Sequence, residues 1–146
     1  MSELDDLYQS VILEHDRAPH NYGRLAAPSG SAEGYNPLCG DRLYVTALLA
    51  GEQLVKIMFD ANGCAIARAS ASLMTDFLAG RSIAETRRLA QALEAMLRDR
   101  NGGPLAATHE LAALAPLTGV RRFPSRIRCA TLAWHALLDA LEPLAQ

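Results

Sequence analysis

A chain of 146 residues with 50% apolar and 21% charged side chains suits one soluble domain, spanning 1–146 and large enough to bury most of its unfolded surface. A net charge of −2 gives no footing for nonspecific nucleic-acid binding, which needs a basic surface, and the few aromatics do not interleave with basic residues. No apolar run approaches the ~20 residues that a helix needs to span a bilayer.

Ser2 with Asp5 resembles a capping box, and Leu4, Leu7, Tyr8, Val11 and Ile12 follow helical spacing, which predicts a first helix over residues 3–15. From Ala18 to Gly40 the chain is rich in Pro, Gly, Ser and Asn and reads as loop, with a short strand near Ala32–Tyr35. Long loops of this kind are where functional residues concentrate. Arg42–Leu49 and Gln53–Phe59 are strand-like and meet at the Ala50-Gly51-Glu52 turn, an antiparallel hairpin. Ala61-Asn62-Gly63 breaks the second strand. Cys64 then opens an Ala/Ser-rich segment, Ala65–Leu78, that reads as a tightly packed helix stopped at Gly80. A second capping box, Ser82 with Glu85, starts a helix whose inner face carries Leu89, Leu93, Met96 and Leu97 and which Asn101-Gly102-Gly103-Pro104 ends. A short helix over Glu110–Leu114 and a last helix over Ile127–Leu141, after Arg121–Ser125, complete the chain. The hydrophobic period changes once, from ~2 to ~3.6, so the fold class is α+β: a small antiparallel sheet of about three strands packed against helices.

The acidic start, Met1-Ser2-Glu3-Leu4-Asp5-Asp6, lacks the basic and apolar regions of a signal peptide, so a cytoplasmic protein is expected. There thiols stay reduced, and three cysteines point to metal binding or catalysis rather than to disulfides. Each lies at an element boundary. Cys39 and Asp41 flank Gly40 at the end of the long loop, Cys64 follows a glycine at the strand-to-helix junction, and Cys129 sits near the start of the last helix. Helix N-termini favour thiolate over thiol, and three thiolates with one carboxylate would give zinc its preferred four ligands. The spacing is not that of a zinc finger, because no C-x-x-C pair is present. On the residues alone, two readings stand: one shared metal site, or cysteines packed separately as small hydrophobes.

Other residues carry weaker signals. Arg121, Arg122, Arg126 and Arg128 form a basic cluster that is either a solvated face or a device for docking a partner or balancing an anionic site. His15, His20, His109 and His135 lie outside the cysteine segments and read as surface or packing residues. Trp134, Leu137, Leu138 and Leu141 read as a core stripe, and Ser70 and Ser72 as small residues that allow close packing.

Taken together, three segments resemble the cysteine motifs of the IscU/NifU-N superfamily: Tyr35–Leu43 around Cys39-Gly40-Asp41, Asn62–Met74 around Cys64, and Arg126–Trp134 around Cys129. Leu7-Tyr8-Gln9, Ile12-Leu13 and Asp16–Gly23 resemble the family's N-terminal helix and the loop after it. The resemblance is greater to the SufU branch than to the scaffold branch. Arg128 stands where the scaffold branch usually has His. The Cys64–Cys129 gap is longer and includes Asn101–Pro104, and Phe123-Pro124-Ser125-Arg126-Ile127 takes the place of the scaffold's Leu-Pro-Pro-Val-Lys chaperone-docking motif. The resemblance implies an IscU/NifU-N-like fold with zinc held by Cys39, Asp41, Cys64 and Cys129. It also implies that Cys39 is the catalytic residue, accepting persulfide sulfur from a PLP-dependent, SufS-like cysteine desulfurase for iron–sulfur cluster assembly. Such a protein is a sulfur relay rather than a stand-alone enzyme. The alternatives are a scaffold assembling a [2Fe-2S] cluster on the same ligands, and a site whose zinc only holds the fold together. The stretch between Pro104 and Phe123 has no clear counterpart in the family.

Overall fold

The structure, a computed structural model, describes residues 3–99 and 109–144. Helix α1 (Glu3–Arg17) leads into a loop and then into strands β1 (Gly30–Asn36), β2 (Asp41–Ala50) and β3 (Gln53–Asn62), which form one antiparallel sheet in the order β1-β2-β3. Helices α2 (Ala65–Leu78) and α3 (Ile83–Arg98), a 3-10 segment (His109–Arg122) and helix α4 (Pro124–Leu141) follow. The expected α+β class and three-stranded sheet are therefore what the chain forms. No helix among the described residues is long and apolar enough to cross a membrane.

The period-2 pattern of β2 turns Leu43, Val45 and Ala47 to one face, where Phe59 pairs with Val45 and Ile57 with Ala47. Helices α2 and α4 cover the sheet; α1 packs on α2, α3 packs on α4, and the 3-10 segment lies against α1 and α3. Because α2 is enclosed from several sides, its small residues Ala67, Ala69, Ser70, Ala71 and Ser72 are all buried. The two serines are also polar junctions. Trp134 Nε1–H donates to Ser70 Oγ at 3.0 Å, and Ser70 Oγ–H donates to Ala130 O at 2.5 Å, tying α4 to α2.

Several boundaries differ from the sequence reading. Strand β1 is longer than Ala32–Tyr35 because its ladder to β2 runs from Gly30↔Ala47 to Asn36↔Asp41. In place of a short helix at Glu110–Leu114 there is a run of 3-10 turns through Arg122, with Pro116 inside it. Proline lacks the N–H that a continuous α ladder requires. Helix α4 starts at Pro124 rather than Ile127, since a proline in the first helical turn has no donor to leave unpaired. The Ser82–Glu85 capping box is present as expected. The expected breaker Asn101–Pro104 and the capping residue Ser2 lie outside the described residues.

The loop between α1 and β1 is pinned on two sides. Tyr22 bridges Phe59 of β3, and Gly23 N–H donates to Phe59 O at 2.7 Å. On α2, Ser72 Oγ accepts the His20 N–H at 2.8 Å and shares a second hydrogen bond with His15 Nδ1 at 2.7 Å. Burial first, then the neighbouring His20, hold His15 below its ordinary value of 6.5. The unfolded chain therefore takes up this proton before the folded chain does, and acid favours unfolding. The stability that His15 carries is complete above 6.5 and is lost as pH falls toward its lower folded value. Urea midpoints are expected to fall between about pH 7 and about pH 5, and to fall less in His15→Gln. Equal slopes in the two proteins would show that His15 is not the group responsible.

Candidate metal centre

Three elements position the candidate site residues. Asp41 is the first residue of β2, Cys64 is the N-cap of α2, and Cys129 lies in the second turn of α4. Gly40 between Cys39 and Asp41 has φ +75, a left-handed conformation that glycine adopts without strain. The resulting tight turn folds Cys39 back, so that its thiol donates to Asp41 Oδ2 at 3.0 Å.

Cys39 Sγ also lies 3.8 Å from Cys129 Sγ. The ligand atoms of Cys39, Asp41 and Cys129 all fall within 4.8 Å of one another. Cys64 is outside that set but adjoins it, its thiol reaching Asp41 Oδ2 at 3.3 Å and its N–H donating to Asp41 Oδ1 at 2.8 Å. Asp41 is thus the hub, and only 2% of it is exposed. Gly63 makes room for it: a Cβ at this position would stand 2.6 Å from Asp41 Oδ1 and 3.0 Å from Cγ. The sequence marks Gly63 only as part of the strand breaker before Cys64, not as a residue of the site.

The charges follow from this packing. Burial pushes the Asp41 carboxyl up, but the hydrogen bonds from the Cys39 thiol, the Cys64 N–H and the other two thiols outweigh it and hold it below its ordinary value. Burial first, then hydrogen bonds shared with Asp41 and Cys64, push the Cys129 thiol far up. Cys64 keeps a cap contact, Ala67 N–H to Sγ at 3.5 Å.

The four arginines divide by position. The Arg126 guanidinium lies beside Cys64 and Cys129, and electrostatic attraction and hydrogen bonding to their sulfurs hold it above its ordinary value. Arg121 is buried and donates from Nε to Met96 O at 2.9 Å, so it is a packing residue. Arg122 and Arg128 are exposed. Among the histidines, His15 meets Ser72, His20 meets Asp76 and His135 meets Glu94. Of the cysteines, Cys129 is buried, Cys64 is half-buried and Cys39 is exposed, and Leu38 beside it is 74% exposed. Cys39, Asp41 and Cys129 thus offer two sulfurs and one carboxylate oxygen that could hold a metal ion, with Cys64 adjoining them.

The chain belongs to the family of the NifU-like N terminal domain, whose model matches residues 7–143. It is 37% identical over 142 residues to the iron-sulfur cluster assembly scaffold protein IscU of Streptococcus pyogenes serotype M1, covering 97% of this chain and 87% of that protein. It is equally 37% identical over 136 residues to the zinc-dependent sulfurtransferase SufU of Bacillus subtilis, covering 93% of this chain and 90% of that protein. The crystal structure of the N-terminal part of a nitrogen-fixing NifU-like protein from Brucella abortus superimposes with a TM-score of 0.82 at 26% identity, over 97% of this chain and 96% of that one.

Proposed function

We propose that the chain is a zinc-dependent sulfur relay in iron–sulfur cluster assembly, with Cys39 accepting persulfide sulfur from a PLP-dependent cysteine desulfurase. The observation that carries this reading is the asymmetry of the donor set. Cys39 is exposed while Asp41 and Cys129 are buried, so one thiol of the group can meet a partner and the others stay in place. The residues that would hold the metal are Cys39, Asp41, Cys64 and Cys129. When bound, zinc would keep the thiols deprotonated and contribute no redox chemistry of its own.

The transfer itself needs only sulfur exchange. The Cys39 thiolate attacks the terminal sulfur of the donor persulfide. A new S–S bond forms on Cys39, the donor's S–S bond breaks, and the donor cysteine leaves as thiolate, so no outside oxidant or reductant is required. Asp41, fixed by the Cys64 N–H, holds the turn that presents Cys39. Arg126 offsets negative charge at Cys64 and Cys129.

A scaffold that receives a [2Fe-2S] cluster as cargo on the same residues is the second reading, favoured by the equal identity to the streptococcal scaffold protein. Arg128, standing where the scaffold branch usually has His, supports sulfur relay instead. Desulfurase turnover, followed as alanine formation from cysteine, is expected to rise when zinc-loaded protein is added. Cys39→Ala should abolish that rise while keeping wild-type circular dichroism and a stability within about 1 kcal/mol, because the side chain is exposed. Stimulation that survives Cys39→Ala would reject the acceptor role. Bound iron with visible absorption and no stimulation would favour the scaffold, and collapse of the fold in Cys39→Ala would favour a structural zinc.

A further inference from the structure

Adjoining the thiol cluster, and reaching Cys64 and Arg126 at one end, the described residues line an open cavity of about 650 Å³. Its walls are apolar: Tyr8 and Ile12 of α1, Ile66 of α2, and Leu117 and Val120 of the 3-10 segment, with Phe123 after it. Ile12 and Leu117 also belong to the hydrophobic core, so these walls are anchored rather than collapsible. The volume falls in the range of small-ligand sites, about 300–1,000 Å³, which characteristically join an apolar body to a few placed polar groups.

The charged groups at this cavity are Arg122, Arg126 and Asp5, two cations against one anion. Arg122 is exposed and makes no hydrogen bond or ion pair with a described residue. The 3-10 segment, which lies within the stretch that the family model matches, supplies one wall and carries Arg122.

We infer that this cavity binds a small anion with an apolar body, its tail among Tyr8, Ile66 and Leu117 and its carboxylate or similar head toward Arg122. Charge complementarity selects this occupant over a neutral or cationic one, and the guanidinium fork is suited to a carboxylate. The inference goes beyond the sulfur-relay reading and does not depend on it.

The test is isothermal titration of the full chain with octanoate, 1-octanol and octylamine. Octanoate should bind saturably at one site, roughly tenfold more tightly than 1-octanol, with octylamine weakest. Arg122→Ala should reduce octanoate to the level of 1-octanol and leave 1-octanol unchanged. Gly119→Leu, at a cavity-lining position where a Cβ meets nothing within 4 Å, should weaken all three ligands while circular dichroism stays that of wild type. Cys39→Ala should bind octanoate like wild type, so a failed sulfur-transfer assay and a failed binding assay remain distinct. No saturable octanoate binding, equal affinity for octanoate and octylamine, or indifference to Arg122→Ala would overturn the inference. So would a dimer that octanoate dissociates in sedimentation velocity, since a second copy would then be the occupant.

Discussion

Replacing Asp41 with alanine is expected to leave a folded protein that binds zinc at least about tenfold more weakly and no longer stimulates the desulfurase. Asp41 joins every part of the candidate centre, accepting from the Cys39 thiol, the Cys64 thiol and the Cys64 N–H. In the proposed zinc site its loss would remove the one oxygen donor, a harder ligand that zinc holds more weakly than a thiolate and that would keep the site exchangeable. It also leaves the Cys64 N–H without its acceptor, a cost of about 1–3 kcal/mol where water cannot reach. Competition against a chromophoric zinc chelator measures the affinity, and alanine formation measures the stimulation. Wild-type values for both would reduce Asp41 to a turn cap.

Gly63 gives a sharper version of the same test. In the wild-type background, a Gly63→Ala methyl would have to displace the Asp41 carboxylate, so zinc affinity should fall here too. In Asp41→Ala the two nearest of the methyl's three closest atoms, Oδ1 and Cγ, are gone, and the remaining one is Cα of residue 41, at 3.1 Å. The second substitution should therefore cost less in that background than alone, the mark of two residues acting through one another. Fully additive losses would show that Gly63 acts elsewhere.

Local signals account for how well parts of this fold could be read. Helix α2 spans Ala65–Leu78 as the sequence implies, because its start and end are local: Cys64 caps it and Gly80, at φ +87, ends it. The 3-10 segment is the opposite case. Its Ala/Leu/Pro composition has no clean period, and its path is set by packing against α1 and α3, which no short window of sequence contains. The candidate site divides the same way. Cysteines at element boundaries mark themselves as candidates, but the meeting of Cys39 with Cys129, 90 positions apart, depends on how β2 and α4 pack. Identical side chains also hide different fates. Arg121 and Arg126 share a basic cluster in sequence, yet the first donates to Met96 O inside the protein and the second faces the thiols. Ser70 and Ser72 read as small packing residues, and their hydrogen bonds to Trp134, His15 and His20 emerge only once three helices and a loop are in place.

Trp134→Ala is expected to destabilise the protein by about 3–5 kcal/mol, the range for deleting a buried aromatic. Trp134 is 1% exposed and lies between α4 and α2, with its ring 6.3 Å from that of Phe77. Its N–H is one of the two bonds joining Ser70 to α4. Trp134→Phe separates the two contributions: it keeps most of the apolar volume and gives up the N–H bond, for a smaller loss of about 1–2 kcal/mol. The consequence reaches the candidate centre, because α2 begins at Cys64 and α4 carries Cys129. A cavity that lets these helices shift changes the distance between the two thiols. Zinc affinity should therefore fall with stability in Trp134→Ala and stay near wild type in Trp134→Phe. Urea unfolding of the metal-free chains separates the packing loss from the linked loss of bound metal, which would otherwise add to the apparent stability difference. For a chain of this size the alanine variant should melt roughly 10 °C lower. A shift within about 2 °C, well under one kcal/mol, would mean that Trp134 does not hold α2 and α4 together and that the thiols are positioned by the β2 turn alone.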